Sequence, residues 1–311
     1  MRPSVAEIRT RTYKARDAWW TVLLVDPVAV HLVRLIAPYR WITPNKITTT
    51  AFLFGCGAAY GFSTLTATGL LVGALLFHIS FILDCIDGKI ARLNGTGSMF
   101  GSWLDYVFDR LRVLACSLAL FIAAYALTDN LWFLAAGFAV NFMDMFRYLN
   151  ALQVYRVNTE TREKLQAARE AAGIVTVVDP DNPDEAAANA GDRSMLVLGG
   201  GEQNRAISSF MRFRTWLRNG RIRPHLVSGI EYQMFVFIVG PIVAALAGTV
   251  DALIWVTAAS TGLVLLFELA IIYMLYRSTK GAGRQIKALQ AQAEARIPAP
   301  RSGEPATVSA H

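Results

Sequence analysis

The stretch "LDCIDGKIARLNGTGSMFGSWLDYVFDR", Leu83–Arg110, places four aspartates, Asp84, Asp87, Asp105 and Asp109, beside long apolar runs. A charged side chain at a bilayer centre costs about 2.5–3.5 kcal/mol on insertion scales, so acids there call for a bound cation or a place near the interface. Asp84 and Asp87 stand three apart and share one helical face; Gly101, Asp105 and Asp109 recur every four residues and share another. "NGTG" at 94–97 breaks the chain between the two sets. The stretch therefore predicts a helical hairpin that turns two pairs of carboxylates toward each other.

Outward from that hairpin the chain reads as membrane protein. Of its 311 residues 54% are hydrophobic, above the 45–50% or so usual in soluble domains. Apolar segments near 46–62, 68–86, 100–126, 131–150, 227–248 and 251–276 predict six transmembrane helices in an all-α fold. Lys and Arg gather before the first span, after the second at Lys89 and Arg92, beyond the fourth at Arg156 and after the sixth from Arg277. The alternate connections near 63–68, 128–130 and 249–251 hold none. This asymmetry puts both termini and the aspartate hairpin on the cytoplasmic side, which in a bacterium is the inner face of the inner membrane. The net charge of +7 is mostly this excess and implies anionic lipid headgroups rather than nucleic acid.

Four regions follow from composition. Residues 1–25 form a basic N-terminal segment, too charged for a cleavable signal peptide. Residues 26–44, with Val28, Leu32, Leu35 and Ile36 at helical spacing and Tyr39 and Trp41 for the headgroup level, predict a helix lying in the interface. Residues 45–276 form the membrane domain, carrying a cytoplasmic insert at 157–225: a soluble helix, an acidic linker and a second, arginine-rich interfacial helix. Residues 277–311 form a cytoplasmic tail, disordered by composition after about residue 288. The cysteines, Cys56, Cys85 and Cys116, lie in or beside spans and suit packing rather than a disulfide framework.

Carboxylate oxygens suit Mg²⁺, Mn²⁺ or Ca²⁺, and no His or Cys cluster competes to indicate zinc. Such cations complete their shells with phosphate oxygens, so the cluster implies a phosphate-bearing substrate. The plainer alternative, helix-end acids paired with Lys89, Arg92, Arg110 and Arg112, accommodates two aspartates better than four.

Asp84, Asp87, Gly88, Ala91, Arg92, Gly101, Asp105 and Asp109 keep every spacing of D-x2-D-G-x2-A-R-x8-G-x3-D-x3-D. The chain thereby resembles the CDP-alcohol phosphotransferase family over most of 26–276. The resemblance implies that Asp84, Asp87, Asp105 and Asp109 bind two Mg²⁺ or Mn²⁺ ions, with Asp109 also the catalytic base toward the acceptor hydroxyl. It implies CDP binding at Gly88, Ala91, Arg92 and Gly101, and beside the cytidine at the "PNxxT" of Pro44, Asn45 and Thr48. A homodimer through membrane helices is implied as well.

"LDYVFDR" further resembles phosphatidylinositol and phosphatidylinositol-phosphate synthases. Arg110, Arg147, Arg221 and Arg223 are the candidates to hold a polar, inositol-phosphate-like acceptor, with CDP-diacylglycerol as donor and CMP as leaving group. Arg147 suits equally an ion pair with Asp144 at i, i+3, and Arg221 and Arg223 suit anchoring at the inner face. His78 and Glu268, each alone in a span, read as satisfied packing residues. Two other functions fit: a transferase with a soluble CDP-alcohol donor and a lipid acceptor, or a non-catalytic cation-binding or transport protein. Transport would spread polar residues through the bilayer depth, whereas these acids gather at one end.

Overall fold

The computed structural model describes residues 3–173, 220–223 and 227–296. Its helices are α1 (Val5–Thr12), α2 (Asp26–Ile36), α3 (Pro44–Ser63), α4 (Ala67–Asn94), α5 (Met99–Thr128), α6 (Leu131–Ala171), α7 (Gly229–Ala247) and α8 (Ala252–Arg296). Among the described residues there is no strand, only an isolated parallel bridge between Asp17 and Ile222. Two compact units emerge, one of Met1–Asn150 with Gly201–Leu269 and one of Ala151–Gly200 with Ala270–His311. All the residues predicted to form the site belong to the first.

Among the described residues, four helices are long and apolar enough to cross a membrane: α4, α5, α7 and α8. The expected spans at α3 and α6 fall short by composition. Thr48, Thr49 and Thr50 dilute α3, and Asn141, Asp144 and Arg147 dilute α6. Of these, Thr48 and Asp144 turn inward, whereas Thr49 and Thr50 are exposed. Thr48, Asp144, Ser80, Arg112, Ser117, Glu231 and Glu268 are all buried, while Leu114, Leu118, Ile122, Phe138, Phe142 and Leu266 lie exposed. Large apolar residues on the surface, with buried polar groups set among an apolar core, are the arrangement a bilayer favours, and the chain is built as an integral membrane protein.

Small residues bring the first unit's helices close. A Cβ added at Gly61 would lie 2.9 Å from the Gly69 carbonyl oxygen, and one at Gly73 would lie 2.6 Å from Phe62. Glycines here allow α3 and α4 to approach backbone to backbone, as in membrane helix pairs generally. Pro44 begins α3, where its missing N–H costs nothing. In α7 the missing N–H of Pro241 has the opposite effect. Residues Phe235–Val239 widen into a π turn in which the Gly240 amide donates to the Phe235 carbonyl.

The predicted break at 94–97 is the α4–α5 turn. Gly95 takes the left-handed conformation (φ +63°), and the Thr96 amide donates to the Ala91 carbonyl at 3.0 Å. Ser98 then caps α5, its hydroxyl accepting from the Gly101 amide at 2.9 Å.

The N-terminal elements differ from the sequence expectation in detail. α2 ends at Ile36, well before residue 44, and packs on α4 through Ala29, Val30 and Val33, leaving Val28 and Leu35 exposed. The basic segment before it contains α1 and a π turn at Thr21–Val25. α6 runs without a break from the expected fourth span into the expected soluble helix, and α8 continues to Arg296, past residue 288. The expected acidic linker, most of the second interfacial helix and the last fifteen residues lie outside the described residues. The three cysteines are free.

Candidate active site

Two elements create the site because their faces were set by spacing. The last turns of α4 carry Asp84 and Asp87, and the first turns of α5 carry Asp105 and Asp109. Asp84, Asp87 and Asp105 each direct a carboxylate oxygen into one nest, and these oxygens lie within 4.8 Å of one another. Oxygen ligands bound at about 2.0–2.6 Å to a common cation are separated by no more than about 5 Å, so the three-carboxylate set fits a hard divalent ion. Asp87 is 5% exposed, and its Oδ2 accepts from the Thr48 hydroxyl at 2.5 Å.

Asp109 lies outside that three-carboxylate nest. Its Oδ2 accepts from Arg110 Nη2 at 2.8 Å, and its Oδ1 pairs with Arg112 Nη2. Arg112 also stands 3.6 Å from Asp84 Oδ1. Spacing predicts two facing pairs of acids; in the structure Asp84, Asp87 and Asp105 gather, and Asp109 pairs with two arginines.

The other predicted nucleotide residues surround the nest. Arg92 Nε donates to the Thr12 carbonyl at 3.1 Å, bringing the N-terminal segment to this end of α4. A Cβ on Gly88 would meet Arg92 Nη1 at 3.4 Å, so the guanidinium lies along the bare glycine. Asn45 and Gly101 meet across α3 and α5, with a Cβ at Gly101 placed 2.9 Å from Asn45 Oδ1. Thr48 also donates to the Pro44 carbonyl at 3.1 Å, which ties the "PNxxT" turn to Asp87. Ala91 lies one turn after Asp87 on α4.

The candidate acceptor arginines all have carboxylate partners. Arg110 bridges Asp109 and Asp144 and lies over the rings of Tyr106 and Tyr148 at 5.9 and 5.8 Å. Asp144 accepts in addition from Gln233 at 2.9 Å. Arg147 pairs with Glu268 across helices at 2.8 Å, not with Asp144, and Glu268 also accepts from Asn150 at 2.6 Å. Arg221 meets Asp26 at 3.2 Å and lies over Tyr13, 4.2 Å from the ring centroid. Arg223 stands 3.7 Å from Asp17.

Two residues beside the site had no assigned role in the sequence reading. Arg112, 2% exposed, entered it only as a helix-end counter-ion. Asp26, 3% exposed, joins Lys89 of the motif stretch at 2.9 Å as well as Arg221. The signal for Arg112 was present as an i, i+3 pair with Asp109; nothing local pointed to Asp26.

Fold and site together define a helical integral membrane protein with a carboxylate nest between two of its helices. Residues 41–181 match the CDP-alcohol phosphatidyltransferase family model.

Curated relatives align over the same kind of length. The chain is 35% identical over 90 residues to the phosphatidylinositol phosphate synthase of Corynebacterium glutamicum, covering 29% of this chain and 37% of that one. It is 36% identical over 85 residues to the archaetidylinositol phosphate synthase of Methanothermobacter thermautotrophicus, covering 27% and 42%. To the bifunctional IPC transferase and DIPP synthase of Aquifex aeolicus it is 40% identical over 78 residues, covering 24% and 17%. The matched part therefore spans less than half of each of these relatives.

Proposed function

We propose that this protein is a CDP-alcohol phosphatidyltransferase of phospholipid synthesis. It transfers the phosphatidyl group of CDP-diacylglycerol to a polar, inositol-phosphate-like alcohol and releases CMP. The observation that carries this reading is the three-carboxylate nest at the turn between α4 and α5, inside the matched family domain. The names of the relatives favour an inositol-phosphate-like acceptor.

In this reading Asp84, Asp87 and Asp105 hold Mg²⁺ or Mn²⁺, two ions when Asp109 or substrate oxygens complete a second shell. The ions supply charge neutralisation on the pyrophosphate. Arg92 binds a phosphate oxygen of the nucleotide, with Gly88 and Gly101 leaving room for the Arg92 and Asn45 side chains beside it. The acceptor's hydroxyl oxygen forms a bond to the phosphorus that bears diacylglycerol, its proton passes to an Asp109 oxygen, and the bond to CMP breaks with the electron pair leaving on CMP. Arg110, Arg147, Arg221 and Arg223 exchange a carboxylate partner for the acceptor's phosphate where they take part. Six spans with both termini cytoplasmic, supported by the Lys and Arg asymmetry, put this site at the cytoplasmic surface. A homodimer is the assembly that the resemblance implies.

The test is CMP release by purified protein given CDP-diacylglycerol, Mn²⁺ or Mg²⁺ and a panel of alcohols that includes inositol phosphate, inositol and glycerol phosphate. Release with one polar alcohol well above all others is expected. Absence of release with every acceptor, and of CMP-driven reversal from phospholipid, contradicts the proposal.

A further inference from the structure

We infer that the N-terminal segment from Thr12 to Asp26 is a strap that pre-sets Arg92 for the nucleotide phosphate, with Tyr13 and Asp26 as the positioning residues that hold it. This rests on the nucleotide reading above and goes beyond it by giving a role to a segment that lies before the matched residues 41–181. Lys89 and Arg92 stand three apart on one face of α4, and each grips one end of the segment. Arg92 Nε donates to the Thr12 carbonyl at 3.1 Å. That carbonyl ends α1, among the last four that a helix leaves without an internal partner, so the arginine caps the helix as the helix fixes the arginine. At the other end Lys89 Nζ meets Asp26 Oδ1 at 2.9 Å.

Between these grips the segment is stitched along its length. The Tyr13 hydroxyl donates to the Asp26 carbonyl at 3.3 Å, and its ring lies 5.8 Å from Lys89 Nζ and 4.2 Å from the Arg221 guanidinium carbon. Arg221 also donates to the Lys14 carbonyl at 3.0 Å and pairs with Asp26 Oδ2 at 3.2 Å. The Asp17 amide donates to the Arg221 carbonyl at 2.8 Å, and the Arg223 amide donates back to the Asp17 carbonyl at 3.0 Å. Arg221 holds these contacts at a φ of +60°, a left-handed conformation that a residue with a side chain rarely takes. Arg92 differs from Arg110, Arg147, Arg221 and Arg223, which all face carboxylates. A neutral carbonyl takes its Nε, and it has no carboxylate partner among the described residues. Its Nη groups lie beside Gly88 and keep their charge for an arriving phosphate. An arginine has large rotamer freedom, and fixing it before the nucleotide arrives removes that cost from binding.

The experiment measures the affinity for CDP in the presence of Mn²⁺ by isothermal titration. It uses the full-length wild-type protein, Tyr13→Ala, Asp26→Asn, Arg92→Gln and the double variant Tyr13→Ala with Arg92→Gln. Tyr13→Ala and Asp26→Asn are expected to bind CDP about fivefold more weakly, the worth of one side chain that must be ordered on binding. In CMP release the same two variants should raise KM for CDP-diacylglycerol by a similar factor. Their kcat and the acceptor's KM should stay within about twofold of wild type, a split that general loosening of the fold would not give. The double variant should bind CDP like Arg92→Gln alone, because the strap acts through that guanidinium. Wild-type CDP affinity in Tyr13→Ala, or its full additional loss in the double variant, overturns the inference. Tyr13 is only half-buried, so Tyr13→Ala carries the test if Asp26→Asn does not fold. Wild-type protein that binds no CDP defeats instead the nucleotide reading on which the inference rests.

Discussion

Thr48 shows how a single hydroxyl is divided between backbone and site. It donates to Asp87 at 2.5 Å and lies 3.1 Å from the Pro44 carbonyl, so a residue expected beside the cytidine also holds a carboxylate of the nest. A hydrogen bond to a charged group is worth about 1.5–3 kcal/mol, so Thr48→Val should lower turnover by about tenfold with little change in thermal stability. Steady-state CMP release beside a melting curve checks this, and wild-type turnover would mean that the hydroxyl does not orient Asp87. At this scale the sequence was informative wherever a side chain acts along its own helix. Asp84 and Asp87 share a face because three residues make most of a turn, and Asp105 follows on the next helix. Partners across helices were hidden. Arg147 and Glu268, or Arg110 and Asp144, meet through packing that no local periodicity records.

The α4–α5 hairpin is the element on which the site depends, and its turn was readable because Gly95 must be left-handed and Ser98 caps the next helix. Less readable was what clamps the hairpin from outside. Lys89 projects from α4 into a buried pair with Asp26 at the start of α2, 2.9 Å apart and each side chain about 5% exposed. Breaking such a pair from one side leaves an unpaired buried charge, at a cost of about 3–5 kcal/mol. Arg221 still reaches Asp26, which favours the lower end. Lys89→Met should therefore melt about 5–10 °C lower in detergent than wild type. An unchanged melting point would show that α2 is held by its apolar face alone. The π turn at Phe235–Val239 is a further case: Pro241 announces a disturbed helix, but whether the helix kinks, breaks or widens is decided by its neighbours.

Across the whole molecule, charge and polarity are sorted by function. The surface carries many large apolar residues over an apolar core, and the buried polar groups concentrate in the first unit, which contains the site's carboxylates. Composition made the membrane character plain, yet a count of spans was less secure, because α3 and α6 carry polar residues that lower their apolar signal. Two of them are turned inward: Thr48 of α3 onto Asp87, and Asp144 of α6 onto Arg110 and Gln233. A divalent cation in the Asp84, Asp87 and Asp105 nest, if phosphatidyl transfer requires it, makes CMP release from CDP-diacylglycerol depend on chelation and stepwise return of Mn²⁺, followed in wild-type protein and in Asp84→Asn. No release is expected without the ion, full recovery on its return in the wild type, and at least about a hundredfold loss in Asp84→Asn at any Mn²⁺ concentration. Release that persists through chelation, or an Asp84→Asn protein that turns over like wild type, would contradict it.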